Sequence, residues 1–228
     1  DAPVIEGFGT TTADQTVTYL ENAPLVLVDS NAVVKDPDLL NFEGAVLTAA
    51  ITANFRPEDR LQLLHQGETA GRVGIDSTTG VVRFGGVPVG AFTGGTSQVT
   101  VTFNSSAMAA AVQAVLRVLA FSTESDNPSL LLRTVRVTLT DGDGGISFPV
   151  TKSIAVTPVN DAPVVTGFGG DASWTENATP VLISSNAQIT DVDSPNFEGG
   201  QLVFSVTYIA HASDRFSVWN VGMVGVQV

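Results

Sequence analysis

Short runs of alternating apolar and polar residues, bounded by Gly, Pro, Asn or Asp, recur along the chain of 228 residues. Alternation of this kind is typical of strands that bury one face. It predicts strands at residues 16–28, 45–52, 81–84, 99–103, 133–139 and 146–156. Residues 106–119 differ, because their apolar residues recur at helical spacing. We expect one helix there, packed across the core and capped by the Ser or Asn residues that precede it.

The composition supports an all-β fold. Val, Thr and Phe are plentiful, and 22 Gly and 11 Pro punctuate the chain. With 43% apolar and only 14% charged residues, the chain has enough apolar surface to fold. The absence of Cys excludes disulfides, thiolate metal sites and thiol nucleophiles. No run reaches the roughly 20 apolar residues of a membrane helix, so we expect no membrane insertion.

The charge balance is strongly acidic. Ten basic residues against 23 acidic ones give a formal net charge of −13. This charge repels nucleic acid and anionic membranes, and it favours cations. We therefore expect no nucleic-acid partner.

The sequence repeats itself. DAPVIEGFG at residues 1–9 recurs as DAPVVTGFG at 161–169, with seven of nine positions identical. Residues 19–47 recur at 174–202, with 15 of 29 positions identical. Such self-similarity indicates a tandem-repeat architecture. We predict one complete repeat at residues 1–160 and the N-terminal part of a second, truncated repeat at 161–228.

Several motifs occur in the order found in one known family. Residues 133–165 resemble the end of a cadherin-like repeat: a strand ending in Thr-Asp, a Gly-rich turn, a last strand, and Val-Asn-Asp-Ala-Pro leading into the next repeat. Upstream, three segments resemble the Glu-Asn, Asp-x-Asp and Asp-x-x-Thr-Gly-x-Ile motifs of such repeats; they are Glu21-Asn22, Asp36-Pro37-Asp38 followed by Asn41, and Asp76-Ser-Thr-Thr-Gly80-Val.

The repeat length and the helical insertion are most similar to the long cadherin-like repeats of giant bacterial surface proteins and adhesins. The resemblance implies tandem cadherin-like, Ig-like Greek-key β-sandwiches with one short helical insertion. It also implies a secreted protein at the cell surface whose joints are stiffened by Ca²⁺. The expected partners are neighbouring repeats of the same protein.

The resemblance also implies which residues bind calcium, since the ion of cadherins lies between consecutive repeats and takes oxygen ligands. The junction site would consist of Glu21, Asn160, Asp161, Asp191 and Asp193. A second, incomplete set, here called the N-terminal site, would consist of Asp1, Asp36, Asp38 and Asp141 and would face a preceding repeat.

Two departures from the cadherin pattern reduce the expected number of ions. The cadherin Leu-Asp-Arg-Glu segment corresponds to GGVPVGAFTGG at residues 85–95, which contains no acid. Pro158 stands where cadherins have Asp. We expect one or two ions at the junction.

An enzyme is not expected. His65 and His211 have no second His or Cys at ligand spacing, and the carboxylate pair Glu58-Asp59 has no partner predicted across a cleft. Two alternatives to a spacer remain open. One is a glycan-binding adhesion module. The other is a filament or surface-layer subunit that self-associates through the open strand edge of residues 221–228.

Overall fold

The computed structural model describes residues 1–9, 15–208 and 210–218. These residues form strands arranged in several sheets and a single helix, so the all-β prediction is confirmed. The strands are β1 Val4–Glu6, β2 Thr16–Leu20, β3 Val26–Leu27, β4 Val33–Lys35, β5 Val46–Ala53, β6 Asp59–Leu63, β7 Val73–Ile75, β8 Val81–Phe84, β9 Val87–Gly94, β10 Gln98–Phe103, β11 Leu119–Thr123, β12 Arg133–Leu139, β13 Val150–Thr157, β14 Val164–Thr166 and β15 Gln188–Thr190. The helix is α1, Ala109–Arg117.

The largest sheet has eight strands in the order β2-β13-β12-β5-β10-β9-β8-β7. All of its neighbours are antiparallel except β2 and β13, which run parallel. A second sheet has the order β3-β11-β6, and the pairs β1-β4 and β14-β15 form two small sheets. The segment from β7 to α1 lies in the sequence between β6 and β11, and its strands extend one edge of the large sheet.

The alternation of the sequence explains how the large sheet meets the core. In β5, Leu47, Ala49 and Ile51 are buried and alternate with more exposed residues. The neighbouring strand β12 of the same sheet buries every second residue in the same way. These side chains join residues of the three-stranded sheet in one hydrophobic cluster. Removing such large apolar surfaces from water provides the main stabilisation of the fold.

Helix α1 covers part of this core. It buries Ala111, Val112, Val115 and Leu116, which recur at helical spacing. The predicted side-chain cap is wrong, because the N-cap residue is Met108 and no side chain caps the helix. A turn separates the polar residues from the helix: the Asn104 Oδ1 accepts the Ser106 amide at 2.9 Å. In the described residues no helix is long and apolar enough to span a bilayer.

The predicted strand at 16–28 is divided into β2 and β3. Asn22 interrupts it with φ of 60°, the left-handed region that Asn tolerates better than most residues. The Ala23 amide donates to the Leu20 carbonyl at 3.0 Å and closes a turn. This turn changes the chain direction at Glu21, so that the Glu21 side chain lies just outside the strand.

The start of the second copy repeats the backbone of the first. Strand β1 pairs with β4 through Val4↔Lys35, and β14 pairs with β15 through Val164↔Thr190, the corresponding positions. Asn177 has φ of 62°, close to the 60° of Asn22. The sequence repeat is therefore also a repeat of local structure.

By its contacts the chain divides into two compact units, residues 1–193 and 194–228. This division differs from the sequence repeat, whose predicted boundary at 160/161 lies inside the first unit. In the second unit, the described residues 194–208 and 210–218 contain no helix or strand. Residues 221–228, where the sequence predicts an open strand edge, lie outside the described residues.

Candidate metal sites

Glu21 is a buried carboxylate at the end of β2. Its own amide donates to the Thr157 carbonyl at 2.9 Å, which ties it to the last residue of β13. One carboxylate oxygen, Oε2, accepts the Val159 amide at 2.6 Å. The residue is only 2% exposed, and its other oxygen, Oε1, is buried without a hydrogen-bond partner. Leaving a charged oxygen in this state costs free energy, so the site favours a bound cation.

Asp161 and Asp193 meet at the other side of the linker. The Asp161 amide donates to Oδ2 of Asp193 at 3.1 Å. The remaining oxygens, Oδ2 of Asp161 and Oδ1 of Asp193, are buried and have no partner. Burial raises the pKa of Asp161 above its ordinary value, and the charges of Asp126, Asp193 and Asp191 raise it further. The negative charges at this point are therefore mutually destabilising.

The orphaned oxygens coincide with the predicted ligands. Among the described residues, the buried side-chain oxygens and nitrogens without a partner are Glu21 Oε1, Asp36 Oδ2, Asp161 Oδ2 and Asp193 Oδ1. Buried polar atoms are normally hydrogen-bonded, so each exception needs a physical explanation. All four are carboxylate oxygens, the hard ligands that Ca²⁺ prefers. The chemistry of this donor set fits calcium.

The other two predicted junction residues are less enclosed. Asn160 is exposed, and its Nδ2 donates to the carbonyl of Asp161 at 2.6 Å. Asp191 follows directly after β15 and is half-buried. The linker is thus hydrogen-bonded at two points: the Val159 amide donates to Glu21, and the Asp161 amide donates to Asp193.

The N-terminal site also brings its predicted residues together. Asp1, Asp38 and Asp141 line a cavity of about 280 Å³, and Asp143 joins them there. The amino group of Asp1 forms an ion pair with Asp38, and Oδ1 of Asp36 accepts the Asp38 amide at 3.3 Å. Four carboxylates predicted from three separate parts of the sequence therefore lie close to one another.

Charge and burial shift two of these carboxyl groups in opposite directions. Burial and the neighbouring Asp38 carboxylate raise the pKa of Asp36. The amino group of Asp1, followed by the contact with Asp36, lowers the pKa of Asp38.

Asp141 is held by the Gly-rich turn that follows β12. Its Oδ1 accepts the amides of Asp143 at 2.8 Å and of Gly145 at 2.9 Å, and the residue is 3% exposed. A Cβ on Gly145 would lie 2.0 Å from Oδ2 of Asp141, so only Gly fits beside this carboxylate. The turn fixes the orientation of Asp141 without a cation.

Neither site is a closed cage as it stands. Within the described parts of the chain, no three His, Asp or Glu side chains are arranged to hold one metal ion. Calcium coordination is flexible and uses backbone carbonyls and water as well as carboxylates. Binding at either site would therefore include small side-chain rotations towards the ion.

Sequence reasoning did not identify two residues near the junction. Asn127 donates from Nδ2 to the carbonyl of Val192 at 3.0 Å, between the predicted ligands Asp191 and Asp193. Asp126 precedes it and is the charged neighbour with the largest effect on the pKa of Asp161. Both lie at positions for which the second repeat has no counterpart in the sequence, so the comparison of repeats gave no signal for them.

The carboxylate pair Glu58-Asp59 does not form a facing pair of acids. Asp59 is fully buried and accepts two hydrogen bonds from the Arg133 guanidinium, at 3.1 and 3.2 Å, whereas Glu58 is exposed. His65 is exposed as well, and its Nδ1 accepts the Ile75 amide at 2.9 Å. Asp59 and His65 therefore form hydrogen bonds that stabilise the fold.

Neither a scan against protein-family models nor a search of the curated proteins gives a match for this chain. The family resemblance thus depends on the sequence motifs alone.

Proposed function

We propose that this chain is a calcium-stiffened spacer or adhesion repeat of a large extracellular surface protein, built from cadherin-like β-sandwiches. Its partners are neighbouring repeats of the same protein, and it acts on no substrate. The observation that carries the proposal is the set of buried, unpartnered carboxylate oxygens of Glu21, Asp161 and Asp193 around one linker.

The strand order supports the cadherin-like part of the proposal. Without the inserted strands β7 to β10, the large sheet reduces to β2-β13-β12-β5 and faces the order β3-β11-β6. If β3, β5, β6, β11, β12 and β13 are taken as strands B to G, the two sheets have the orders B-E-D and C-F-G of an Ig-like sandwich, with β2 added beside the last strand. The insertion adds strands only at the free edge next to β5, so it leaves the proposed seven-strand arrangement intact.

The charge distribution supports calcium as the stiffening agent. Without a cation, the carboxylates of Asp161, Asp191 and Asp193 repel one another at the point where the chain leaves the first repeat. A divalent ion that binds all of them at once removes this repulsion and fixes the linker. Extracellular modules of this kind bind calcium with a Kd of about 10⁻⁴ to 10⁻³ M, which agrees with a location outside the cell.

Thermal unfolding with calcium, with magnesium and with a chelator tests the proposal. For a Kd of about 10⁻⁴ M, 10 mM calcium stabilises the folded state by about 2.7 kcal/mol per site. In a unit of this size the gain corresponds to a rise in Tm of about 5 to 10 °C. An unchanged Tm in calcium and chelator would overturn the proposal.

Two double variants assign the effect to a site. Asp191→Asn with Asp193→Asn removes acidic ligands from the junction site, and Asp36→Asn with Asp38→Asn does the same at the N-terminal site. The junction variant is expected to lose most of the calcium-dependent rise in Tm. The N-terminal variant serves as the matched control. It removes the same number of charges, but from carboxylates that would need a preceding repeat to complete their metal site.

Self-association is a second candidate function. Several large apolar side chains of the second repeat are exposed; they include Val164, Val165, Trp174, Leu182, Leu202 and Val203. Exposed apolar patches mark interaction sites in folded proteins, and these side chains would contribute to one. Light scattering after gel filtration tests this candidate, since a single monomeric species at all concentrations would exclude a filament or surface-layer subunit.

A further inference from the structure

A cavity of about 360 Å³ opens between helix α1, the end of β8 and the loop that leads into β7. Its lining residues all belong to the segment from Gln66 to Val118, which lies in the sequence between β6 and β11. A volume of this size is within the range of pockets that hold small ligands. The cavity is thus built by the insertion at the sheet edge, which the proposed seven-strand sandwich does not require.

Two arginines line the cavity without a carboxylate partner. Arg117, in the last turn of α1, is half-buried, and its Nε donates to the Ala32 carbonyl at 2.7 Å. The backbone of Arg72 is held on both sides, since its amide donates to the Thr69 carbonyl at 3.0 Å and its carbonyl accepts the Gly85 amide at 2.9 Å. Among the described residues neither guanidinium forms an ion pair, and no acid lines the cavity. Guanidinium groups in this state are available for an anion, and their planar fork suits a carboxylate.

Two carboxamides add neutral hydrogen-bond donors to the cavity. Oε1 of Gln113 accepts the Val34 amide at 3.3 Å, and Oε1 of Gln66 accepts the Val73 amide at 3.3 Å. Within the part of the chain that the structure describes, neither Nε2 has a hydrogen bond of its own. Each nitrogen can therefore donate to a ligand oxygen.

Phe84 gives the cavity an aromatic wall. It packs against the hydrophobic core on one side and lines the cavity on the other, together with Ala110 and Ala114 of α1. An inorganic anion would use the arginines alone. A sugar ring with a carboxylate would also pack its CH groups on Phe84 and offer hydroxyl groups to the carboxamides, so it matches all three parts of the lining.

We propose that this cavity binds the carboxylated sugar residue of an acidic glycan. The guanidinium groups of Arg72 and Arg117 bind its carboxylate. The carboxamides of Gln66 and Gln113 bind its hydroxyl groups, and Phe84 packs against its ring. This binding activity goes beyond the proposed spacer function and needs no calcium, because no lining residue is an acid.

Titration of the isotope-labelled full chain with methyl glucuronide and with methyl glucoside, followed by nuclear magnetic resonance in chelator, tests the proposal. The two sugars differ only in the carboxylate. We expect the glucuronide to bind with a Kd of about 1 mM, as is typical of a ligand of this size. The glucoside should bind at least about tenfold more weakly, because it lacks the charge-assisted hydrogen bonds. Equal binding of the two sugars, or no binding of the glucuronide, would overturn the proposal.

Two variants and a control place the binding in the cavity. Arg72→Gln removes an exposed charge and is expected to weaken glucuronide binding about tenfold. Ala110→Trp retains every charge and fills the cavity from an exposed helix position, and it should cause a loss at least as large. The matched control is Arg136→Gln, which makes the same charge change on the exposed face of β12, away from the lining residues. The control should bind within about twofold of the natural chain. If both cavity variants bind as the control does, the cavity is not the site.

Acetate, phosphate and a glutamate residue blocked at both ends distinguish the possible sources of the negative charge. Each is expected to bind at least about tenfold more weakly than the glucuronide, because none offers a sugar ring with its hydroxyl groups. Acetate or phosphate binding as tightly as the glucuronide would show a simple anion site. Tighter binding of the blocked glutamate would show a peptide site, and either result would overturn the sugar assignment. All of these outcomes leave the calcium-dependent rise in Tm unaffected, so the proposed spacer function is tested separately.

Discussion

Arg133 and Asp59 form an ion pair that is completely shielded from water. The Nε and terminal nitrogen of the guanidinium donate to the two oxygens of the carboxylate at 3.1 and 3.2 Å, and both side chains have no exposed surface. The pair connects β12 of the large sheet to β6 of the smaller one. Because Arg133 also holds the carbonyls of Ser129 and Leu131, it supports the loop that carries Asp126.

Breaking this pair is expected to be costly. Asp59→Ala leaves the Arg133 charge buried without its partner, and such changes typically lower the free energy of unfolding by about 3 to 5 kcal/mol. Glu124→Ala is the matched control, since it breaks the exposed ion pair with Arg60, which contributes less than about 1 kcal/mol. Urea unfolding of both variants measures the difference. Equal effects would show that the buried pair does not hold the two sheets together.

Glu21→Gln is expected to have opposite effects with and without calcium. Gln retains an oxygen that can accept the Val159 amide, but it removes a buried charge that has an unpartnered oxygen. In chelator the variant should therefore be at least as stable as the natural chain. In calcium it should gain less stability, because a charged ligand is missing.

Thermal unfolding in the two conditions measures both effects for Glu21→Gln. A variant that is strongly destabilised in chelator would assign Glu21 a structural role rather than a metal-binding one.

The stability of the fold is expected to depend on pH through Asp76. Its carboxylate interacts with the side chain and amide of Thr79 and with the Thr78 amide, and these hydrogen bonds lower its pKa below the ordinary 3.8. A group with a lowered folded-state pKa stabilises the protein above its unfolded-state pKa, and this contribution is lost as pH falls through the folded-state pKa. The stability difference between the natural chain and Asp76→Asn should thus be larger at pH 7 than at pH 2.5.

Glu43→Gln is the control for this pH dependence, because it removes an exposed carboxylate outside the Asp76 turn. Urea unfolding at the two pH values measures both differences. A difference for Asp76→Asn that stays constant with pH would contradict the assignment.

Phe121 and Phe148 provide a matched test of the core. Phe121 is fully buried and packs edge-on against Tyr19 with ring centroids 5.6 Å apart, whereas Phe148 is 92% exposed. Phe121→Ala is expected to lower the free energy of unfolding by about 3 to 5 kcal/mol. Phe148→Ala should change it by less than about 0.5 kcal/mol. Denaturant unfolding of the two variants measures both values, and similar losses would contradict the position of the core.

The strands that were predicted well are those whose inward side chains are almost all apolar, although β12 also buries Arg133. Strands β5, β10 and β12 lie within one residue of their predicted bounds, because alternation and burial coincide there. Strand β6 was missed because one of its three inward residues is Asp59, which reads as a surface residue until its partner is known. Strand β13 begins at Val150 instead of at residue 146, since Pro149 lacks the amide that a strand interior requires.

Some residues of the candidate sites could be predicted because they recur in both copies of the repeat. Recurrence placed Asp36 and Asp38 in register with Asp191 and Asp193, and the structure brings each pair beside other acids. Asp126 could not be identified in this way, because the acidic residues that interact with it lie 35 or more residues away in the sequence. Contacts of that kind depend on the packed fold and cannot be inferred from local pattern.

The parallel pairing of β2 with β13 determines how the first repeat responds to force. Five residue pairs, from Ser153↔Thr16 to Thr157↔Leu20, join the two strands side by side in the same direction. Tension along the polypeptide enters β2 at its N-terminal end and leaves β13 at its C-terminal end, where the linker begins. The two strands are therefore pulled in shear, and their hydrogen bonds carry the load together instead of opening one after another. In the proposed spacer, resistance to extension would therefore be greatest at this pair of strands.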